Sequence, residues 1–381
     1  MQIHGYFDLK FEAVREAFAQ QMQDPQQRGA GVCIQIDGET VVDLWAGYTD
    51  RHQQEAWHTD TLVNVFSATK PFAAVAILQM VGEGKIELDA PVAKIWPEFA
   101  QNGKAQITLR HLLSHRAGVT AVAKPLAAQS LYDWQVMTDV LAEQAPWWEP
   151  DTAHGYAPIS YGWLIGELIR RLDNQEPGAA IIARTAHPLD LDFHIGLSQA
   201  NMARVTDVSR GKWPGDAAAM RLASTMLSQP TSMNTLSFNN PPSVMTSTNK
   251  PEWRAMAQPA ANGHGNARSL AGFYTGLLNG RLLDQTLLEQ MCQEHSVGED
   301  NTLLTQTRFG LGCMLDQPAV PNATYGLGPK AFGHPGAGGC IGFADPERGL
   351  AFGYVTNTLG PYVLMDPRIQ QLSNIAGRCL A

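Results

Sequence analysis

Ser67 and Lys70 are the residues whose types and spacing most directly predict chemistry in this chain. A serine and a lysine three positions apart face the same way when their segment forms the first turn of a helix. A serine hydroxyl is a weak nucleophile until a base takes its proton, and a partly desolvated lysine amine can be that base. The apolar run over 71–81 predicts a buried helix that begins at this pair and offers free N–H groups to negative charge. Alone, such a pair is more often an N-cap or first-turn serine beside a solvated lysine.

Two other segments supply groups that such a serine would need. Tyr156 precedes an apolar helical stretch, and a phenol beside an ammonium group is expected to lose its proton more easily and to shuttle it. The glycines over 333–339 predict an edge strand that approaches a substrate closely, so that a backbone N–H forms half of an oxyanion hole. The alternatives are a buried structural tyrosine at Tyr156 and a strand-end histidine without a chemical role at His334.

Five segments, in order along nearly the whole chain, resemble the serine hydrolases of the class C β-lactamase, D-alanyl-D-alanine peptidase and family VIII carboxylesterase group. They are Ser67-Ala68-Thr69-Lys70 at the Ser-x-x-Lys motif, the segments 82–92 and 107–118, Tyr156 at the Tyr-x-Asn position, and His334-Pro335-Gly336 at the Lys-Thr-Gly triplet. The resemblance implies an α+β, β-lactamase/transpeptidase-like fold. In such a fold an antiparallel sheet built from both termini is flanked by helices, and a mainly helical lobe is inserted.

The resemblance also implies a role for each matched residue. Ser67 is the expected nucleophile, with Lys70 and Tyr156 sharing its proton. The N–H groups of Ser67 and Ala337 are expected to stabilise the oxyanion. His334 and Gly336 are expected on the substrate-binding side of the same strand, with His334 orienting the leaving group or stabilising Tyr156.

Three departures from the family pattern narrow the expected reaction to ester hydrolysis. Pro158 stands where the family has the Tyr-x-Asn amide, His334 replaces a lysine, and Pro335 replaces a threonine hydroxyl. A β-lactam carboxylate would need that cation and that hydroxyl, whereas a neutral ester needs only the nucleophile, the proton shuttle and the oxyanion hole. The alternatives are a β-lactamase, a D-amino acid peptidase or amidase, an acyltransferase, and a binding protein without activity.

Composition excludes several classes of partner. The chain has 381 residues and a formal charge of −9, which argues against nucleic acid and against an anionic membrane. The expected partner is the small-molecule ester that the departures from the family pattern imply. No run approaches the ~18 apolar residues that a membrane span needs. The sequence gives no indication of oligomeric state.

The cysteines and the N-terminus predict a cytoplasmic protein without cofactor or metal. The five cysteines form no Cys-x-x-Cys pair and are expected to be reduced: Cys33, Cys292, Cys313, Cys340 and Cys379. The eleven histidines form no His-Glu-x-x-His set. The first residues show no basic start followed by an apolar core, so no secretory signal is expected.

Pattern along the chain predicts the elements that must position these residues. Hairpins are expected over 31–45, around Asp37-Gly38, and over 339–357, and helices over 11–22, 109–114, 131–145, 161–172, 269–278 and 366–380. The segment 209–259 is expected to form loops and short helices. We therefore expect a sheet lobe from 1–70 and 260–381, a helical lobe from 71–259, and an active site in the cleft between them.

Overall fold

Strands from both ends of the chain meet in one nine-stranded antiparallel sheet, as predicted. The computed structural model describes residues 1–242 and 246–381. The strands are β1 (Ile3–Phe7), β2 (Gly29–Ile36), β3 (Glu39–Gly47), β4 (Val63–Phe66), β5 (Phe193–Ile195), β6 (Ser209–Arg210), β7 (Gly263–Gly265), β8 (Ser296–Glu299), β9 (Gln306–Phe309), β10 (Met314–Leu315), β11 (Phe332–Pro335), β12 (Ile341–Asp345), β13 (Leu350–Thr356) and β14 (Thr358–Leu359). The large sheet has the order β1-β3-β2-β13-β12-β11-β10-β9-β8, so β2 pairs with β13. Strands β4, β7 and β5 form a separate three-stranded sheet, and β6 pairs with β14.

Both predicted hairpins are confirmed. Strands β2 and β3 are joined at Asp37 and Gly38, whose φ angles of 50° and 91° are those of a two-residue hairpin turn. Strands β12 and β13 pair from Ile341 to Asp345, and Gly349 lies with a positive φ in the turn between them. The two hairpins lie side by side at the centre of the sheet.

The helices carry most of the rest of the chain. They are α1 (Glu12–Gln21), α2 (Lys70–Gly82), α3 (Leu109–Leu113), α4 (Trp134–Glu143), α5 (Ser160–Asp173), α6 (Pro177–Thr185), α7 (Gln199–Met202), α8 (Ala217–Ser228), α9 (Met233–Asn239), α10 (Pro251–Ala255), α11 (Ala267–Leu278), α12 (Gln285–Cys292) and α13 (Pro367–Leu380). Seven of them confirm predicted helices, with small differences at their ends. No helix of the described residues is long and apolar enough to cross a membrane.

The segment 209–259 differs in part from its prediction. It holds the short helices α9 and α10, but α8 extends over 12 residues. This helix is rich in alanine and buries only Ala218 and Leu222. Alanine has the highest intrinsic helix propensity, so α8 forms without a broad apolar face.

Alternate residues of the central strands pack into two different layers. In β2, Val32 and Ile34 lie in the same apolar cluster as Ile369 of α13, whereas Cys33 lies in the cluster that holds Leu270 of α11. This alternation follows from the two-residue period of a strand. The sheet therefore has α1 and α13 on one face and α11, with α2 behind it, on the other.

Helix α2 is buried along its length, as its apolar sequence predicts. The Phe72 ring stacks between the rings of Phe193 and Phe273, with centroid distances of 3.8 and 3.9 Å. At its start, the Thr69 hydroxyl donates to the carbonyl of Phe66 and accepts from the N–H of Gly263 at 2.9 Å. These contacts fix the first turn of α2 against β4 and β7.

Candidate active site

Ser67 lies at a sharp junction between strand β4 and helix α2. Phe66, the last residue of β4, has φ +50° and ψ −129°, a strained conformation for a residue with a side chain. A 3₁₀ turn over Ser67–Thr69 follows and leads directly into α2. The N–H of Ser67 makes no hydrogen bond within the described residues. The junction thus exposes the hydroxyl of Ser67 and places a free N–H at the start of a buried helix.

Lys70 lies beneath Ser67, and its side chain is fully buried. Its Nζ lies 3.2 Å from the Ser67 Oγ, 2.8 Å from the carbonyl of Pro158 and 3.0 Å from the carbonyl of Ala260. Burial holds the pKa of this amine well below its usual value of 10.5. A neutral amine has two N–H groups and one lone pair. Because two carbonyls accept the two N–H groups, the lone pair is left for the hydroxyl of Ser67.

Tyr156 lies beside this pair, with the centre of its ring 4.7 Å from the Nζ of Lys70. Burial raises the pKa of the phenol above its usual value of 10, although the interaction with Ser67 lowers it. The expectation that this phenol loses its proton more easily is therefore wrong. The expectation assumed a charged ammonium neighbour, whereas burial makes both the lysine and the tyrosine neutral. The hydroxyl of Tyr156 has no well-aligned hydrogen-bond partner among the described residues.

The backbone of Tyr156 is held by three buried side chains. Its segment, 153–158, has no regular secondary structure. Both carboxylate oxygens of Asp300 accept the N–H of Tyr156 at 3.1 Å, and the hydroxyl of Thr120 donates to its carbonyl at 2.6 Å. The Nδ1 of His115 accepts the N–H of Ala157 at 3.2 Å. Side chains thus satisfy backbone groups that a helix or strand would otherwise satisfy.

Sequence reasoning did not find Asp300, and no signal in the sequence marks it. It is fully buried, and besides Tyr156 it accepts the N–H groups of Thr302 and Leu303, each at 2.8 Å. The hydroxyl of Thr307 donates to it at 3.2 Å. Burial raises the pKa of this carboxyl to about 6, while the hydrogen bonds lower it. Asp300 is separated from Tyr156 by 144 positions, so only the fold brings them together.

His334 faces Tyr156 from strand β11, with 5.7 Å between the ring centres. Its Nδ1–H donates to the carbonyl of Pro335 at 2.8 Å. Burial lowers the pKa of His334 to about 3, so the ring is neutral. The Nε2 has no partner among the described residues. The predicted edge strand is wrong: β11 pairs with β12 and β10, although β10 ends before it reaches His334.

Gly336 and Ala337 follow β11. A Cβ at Gly336 would lie 2.1 Å from the carbonyl oxygen of Val65, so the glycine allows this turn to approach β4. Ala337 is exposed, and its N–H makes no hydrogen bond within the described residues. Ala337 therefore offers a second free N–H on the side of Ser67, while Gly336 packs behind it.

Ser67, Tyr156, His334 and Ala337 line one pocket of about 150 Å³. Lys70 lies beneath it, and Gly336 is not among the lining residues. The other lining residues are Phe66, Pro158, Ile159, Leu222, Phe238, Thr248, Trp253, Ala261, Leu303, Met314, Pro335, Tyr362 and Val363. No described lining residue of this pocket carries a formal charge; the adjoining pocket, which shares Phe66, Thr248 and Ala337 with it, includes Arg210. Nor do the described residues hold a cluster of three or more His, Cys, Asp or Glu side chains suited to a metal ion.

The sheet, its flanking helices and the Ser67–Lys70 junction define a β-lactamase/transpeptidase-like fold of the Ser-x-x-Lys serine hydrolases. The family model described as Beta-lactamase matches residues 14–375, and the chain belongs to this family. Esterase/beta-lactamase LipL of Mycobacterium tuberculosis is 32% identical over 375 residues, covering 96% of this chain and 85% of LipL. A penicillin-binding protein homologue from Caulobacter crescentus is 34% identical with a TM-score of 0.88. A family VIII carboxylesterase is 33% identical with a TM-score of 0.85, and both structures match over the full length of both chains.

Proposed function

We propose that this chain hydrolyses small carboxylic esters in two steps, through an acyl ester on Ser67. The observation that carries the proposal is a fully buried lysine amine 3.2 Å from the serine hydroxyl, beneath a pocket whose described lining residues carry no formal charge. An uncharged pocket favours an uncharged substrate, because a carboxylate moved there from water would lose its hydration without gaining a cation. Two of the related proteins described above are named as esterases, which supports the same reaction.

In the first step, the Oγ of Ser67 attacks the ester carbonyl as Lys70 accepts its proton. The carbonyl oxygen takes up the negative charge between the free N–H groups of Ser67 and Ala337. Loss of one such donor in an oxyanion hole costs about 3 kcal/mol in transition-state energy. Tyr156, which is protonated, donates its proton to the leaving alcohol and regains one from Lys70.

In the second step, water attacks the acyl ester and its proton moves to the same pair of side chains. The tetrahedral intermediate then breaks the bond to the Oγ of Ser67, which takes the proton back. The product acid leaves, and Lys70 is again a neutral amine. The two carbonyls that hold its N–H groups keep the lone pair directed at Ser67 in both steps.

We also propose that residues 1–70 with 260–381 form one lobe, residues 71–259 form a second, and the site lies between them. The pocket takes Ser67 and His334 from the first part and Tyr156 and Trp253 from the second. A reducing compartment such as the cytoplasm fits the five cysteines, which are all free. Fractionation that found the protein only outside the cytoplasm would contradict this location.

The test uses 4-nitrophenyl butyrate and follows release of nitrophenol by stopped flow. If deacylation is slower than acylation, we expect a burst of nitrophenol equal in concentration to the enzyme. We also expect a fluorophosphonate probe to label Ser67. Both the burst and the labelling are expected to be lost in Ser67→Ala. Lys70→Met is expected to lower the acylation rate at least about a hundredfold. Lys104→Met is the matched control, because Lys104 is also buried and held by two carbonyls but does not line the pocket. Absence of ester turnover together with absence of labelling at Ser67 would refute the proposal.

A β-lactamase is the second candidate, because LipL carries both activities in its name. Its substrate has a carboxylate, and the pocket offers no lining cation among the described residues. We therefore expect nitrocefin to be turned over less efficiently than 4-nitrophenyl butyrate. A clear preference for nitrocefin, measured as kcat/KM with the same preparation, would reverse the order of the two candidates.

A further inference from the structure

His334 presents a hydrogen-bond acceptor without a donor in the wall of the pocket. Its Nδ1 faces a carbonyl oxygen, that of Pro335, and must therefore carry the ring's only hydrogen. The Nε2 then has a lone pair, and this atom is buried without a partner among the described residues. A buried acceptor without a donor is unfavourable, so its retention at a site calls for a chemical reason.

The hydroxyl of Tyr156 is a second polar atom in the same wall with bonding capacity to spare, because its interaction with Ser67 is not well aligned. The two rings lie 5.7 Å apart, and both residues line the pocket with Ser67. One group is an acceptor, and the other both donates and accepts. A small molecule with O–H groups that lies beside Ser67 can contact both.

We propose that His334 selects the nucleophile of the second step, because its Nε2 accepts a hydrogen bond from the attacking water. This inference rests on the proposed acyl ester at Ser67. Water has two O–H groups: one gives its proton to Tyr156 and Lys70 during the attack, and the other remains free to bind His334. An alcohol has a single O–H group, which the attack consumes. Its carbon would then lie against the Nε2 and leave that acceptor without a donor.

The bonds formed and broken are the same for both nucleophiles. The attacking oxygen forms a bond to the acyl carbon, and the carbonyl electrons move to the oxygen held by Ser67 and Ala337. When they return, the bond to the Oγ of Ser67 breaks, and this oxygen takes the proton that the nucleophile gave up. Water yields the acid and an alcohol yields a new ester. Only the second O–H of water distinguishes the two paths at His334.

Histidine in place of lysine at position 334 replaces a hydrogen-bond donor with an acceptor. The family pattern has a lysine here, and an ammonium group only donates. A donor suits the lone pairs of any attacking oxygen, from water or from an alcohol. A neutral imidazole with its hydrogen on Nδ1 presents only an acceptor, which favours a nucleophile that keeps an O–H after the attack.

The experiment measures how the acyl group partitions between water and methanol. The wild type, His334→Leu and His334→Gln are each mixed with 4-nitrophenyl butyrate and methanol, and butyrate and methyl butyrate are quantified. The control is His264→Leu, since His264 is also buried with both ring nitrogens unpartnered among the described residues but does not line the pocket. In His334→Leu we expect a burst rate that is equal or higher, because the leaving phenol no longer lies against an unpaired acceptor. Deacylation is expected to be about tenfold slower, and the ratio of ester to acid about tenfold higher.

His334→Gln is expected to restore both values toward the wild type, because its Oε1 can accept at the place of Nε2. The His264→Leu control is expected to partition like the wild type. If His334→Leu fails to fold, as judged by its thermal unfolding, His334→Asn replaces it, because the shorter amide does not reach the place of Nε2. Normal turnover with an unchanged ratio in the folded variant would overturn the inference. Failure of the proposed function differs, because the wild type itself would then show neither a burst nor labelling of Ser67.

Discussion

The carboxylate of Asp300 provides the sharpest test of how burial sets the charges around this site. Burial raises its pKa to about 6 from the usual 3.8. Between these two pH values the folded protein retains a proton that the unfolded chain has lost. Raising the pH through this window therefore destabilises the folded protein, and the loss is complete above about pH 6.

The size of the effect follows from the two pKa values. At about 1.4 kcal/mol for each tenfold change, ionisation of Asp300 costs about 3 kcal/mol of folding free energy near neutral pH. Asp300→Asn has almost the same shape and stays neutral, so it removes this cost. We expect the stability of the variant relative to that of the wild type to increase by about 3 kcal/mol between about pH 4 and neutral pH. The difference in stability between the two proteins should decrease as the pH is lowered and become constant near pH 4, where Asp300 is protonated in the folded wild type.

The same variant is expected to slow the reaction. The ionised carboxylate accepts the N–H of Tyr156 with both oxygens, and a neutral amide offers a weaker, single acceptor. We expect kcat to fall by up to about tenfold, with KM little changed, because the loss is in positioning Tyr156.

The assay compares chemical denaturation of the two proteins from about pH 4 to about pH 8, so that groups common to both cancel. Asp316→Asn is the matched control. The carboxyl of Asp316 is also buried, has a raised pKa and accepts a backbone N–H, that of Tyr325. It does not line the pocket, so a change in stability without a change in kcat is expected. A stability difference between Asp300→Asn and the wild type that does not vary with pH would refute the reasoning.

Three further outcomes follow from the same site. Lys70 acts as an unprotonated amine, and its pKa is held well below 10.5. The kcat/KM for 4-nitrophenyl butyrate is therefore expected to rise with pH and to reach a plateau below pH 10.5. A rise that continues to pH 10.5 would contradict this prediction. Gly336→Ala is expected to retain the fold and to lower kcat/KM about a hundredfold. The added Cβ would meet the carbonyl of Val65 and shift the N–H of Ala337. Wild-type activity would show that the turn can move without displacing this N–H. The 4-nitrophenyl half-ester of adipic acid is expected to have a kcat/KM at least about tenfold lower than that of 4-nitrophenyl hexanoate. The reason is that its carboxylate would enter a pocket whose described lining residues carry no charge. Equal kcat/KM values would indicate a cation within reach of the carboxylate.

The fold was predictable where a local signal and the global structure agree. The Asp37-Gly38 pair determines the turn between β2 and β3, and the apolar run after Lys70 determines a helix buried on all sides. The period of each strand then assigns its faces. Sequence reasoning missed the length of α8, an alanine-rich helix that buries only Ala218 and Leu222.

The identities of the site residues were more predictable from the sequence than their protonation states were. Spacing pointed to Ser67 and Lys70, and the order of segments pointed to Tyr156 and His334. The neutral state of the lysine and the raised pKa of the phenol depend on burial, which no short motif records. The support of Tyr156 by Asp300 joins residues 144 positions apart, and only the folded chain reveals it.

Burial acts on this site in two ways that fit one reaction. It makes the amine of Lys70 a base without a neighbouring carboxylate, and it leaves the ring of His334 neutral, so the wall gains an acceptor where the family pattern has a cation. The pocket then accepts a neutral ester, because nothing charged must be desolvated on binding. Hydrolysis converts that ester into a carboxylate in a pocket whose described lining residues carry no formal charge. The product is therefore held less well than the substrate, so the same electrostatics that favour binding of the ester also favour release of the acid.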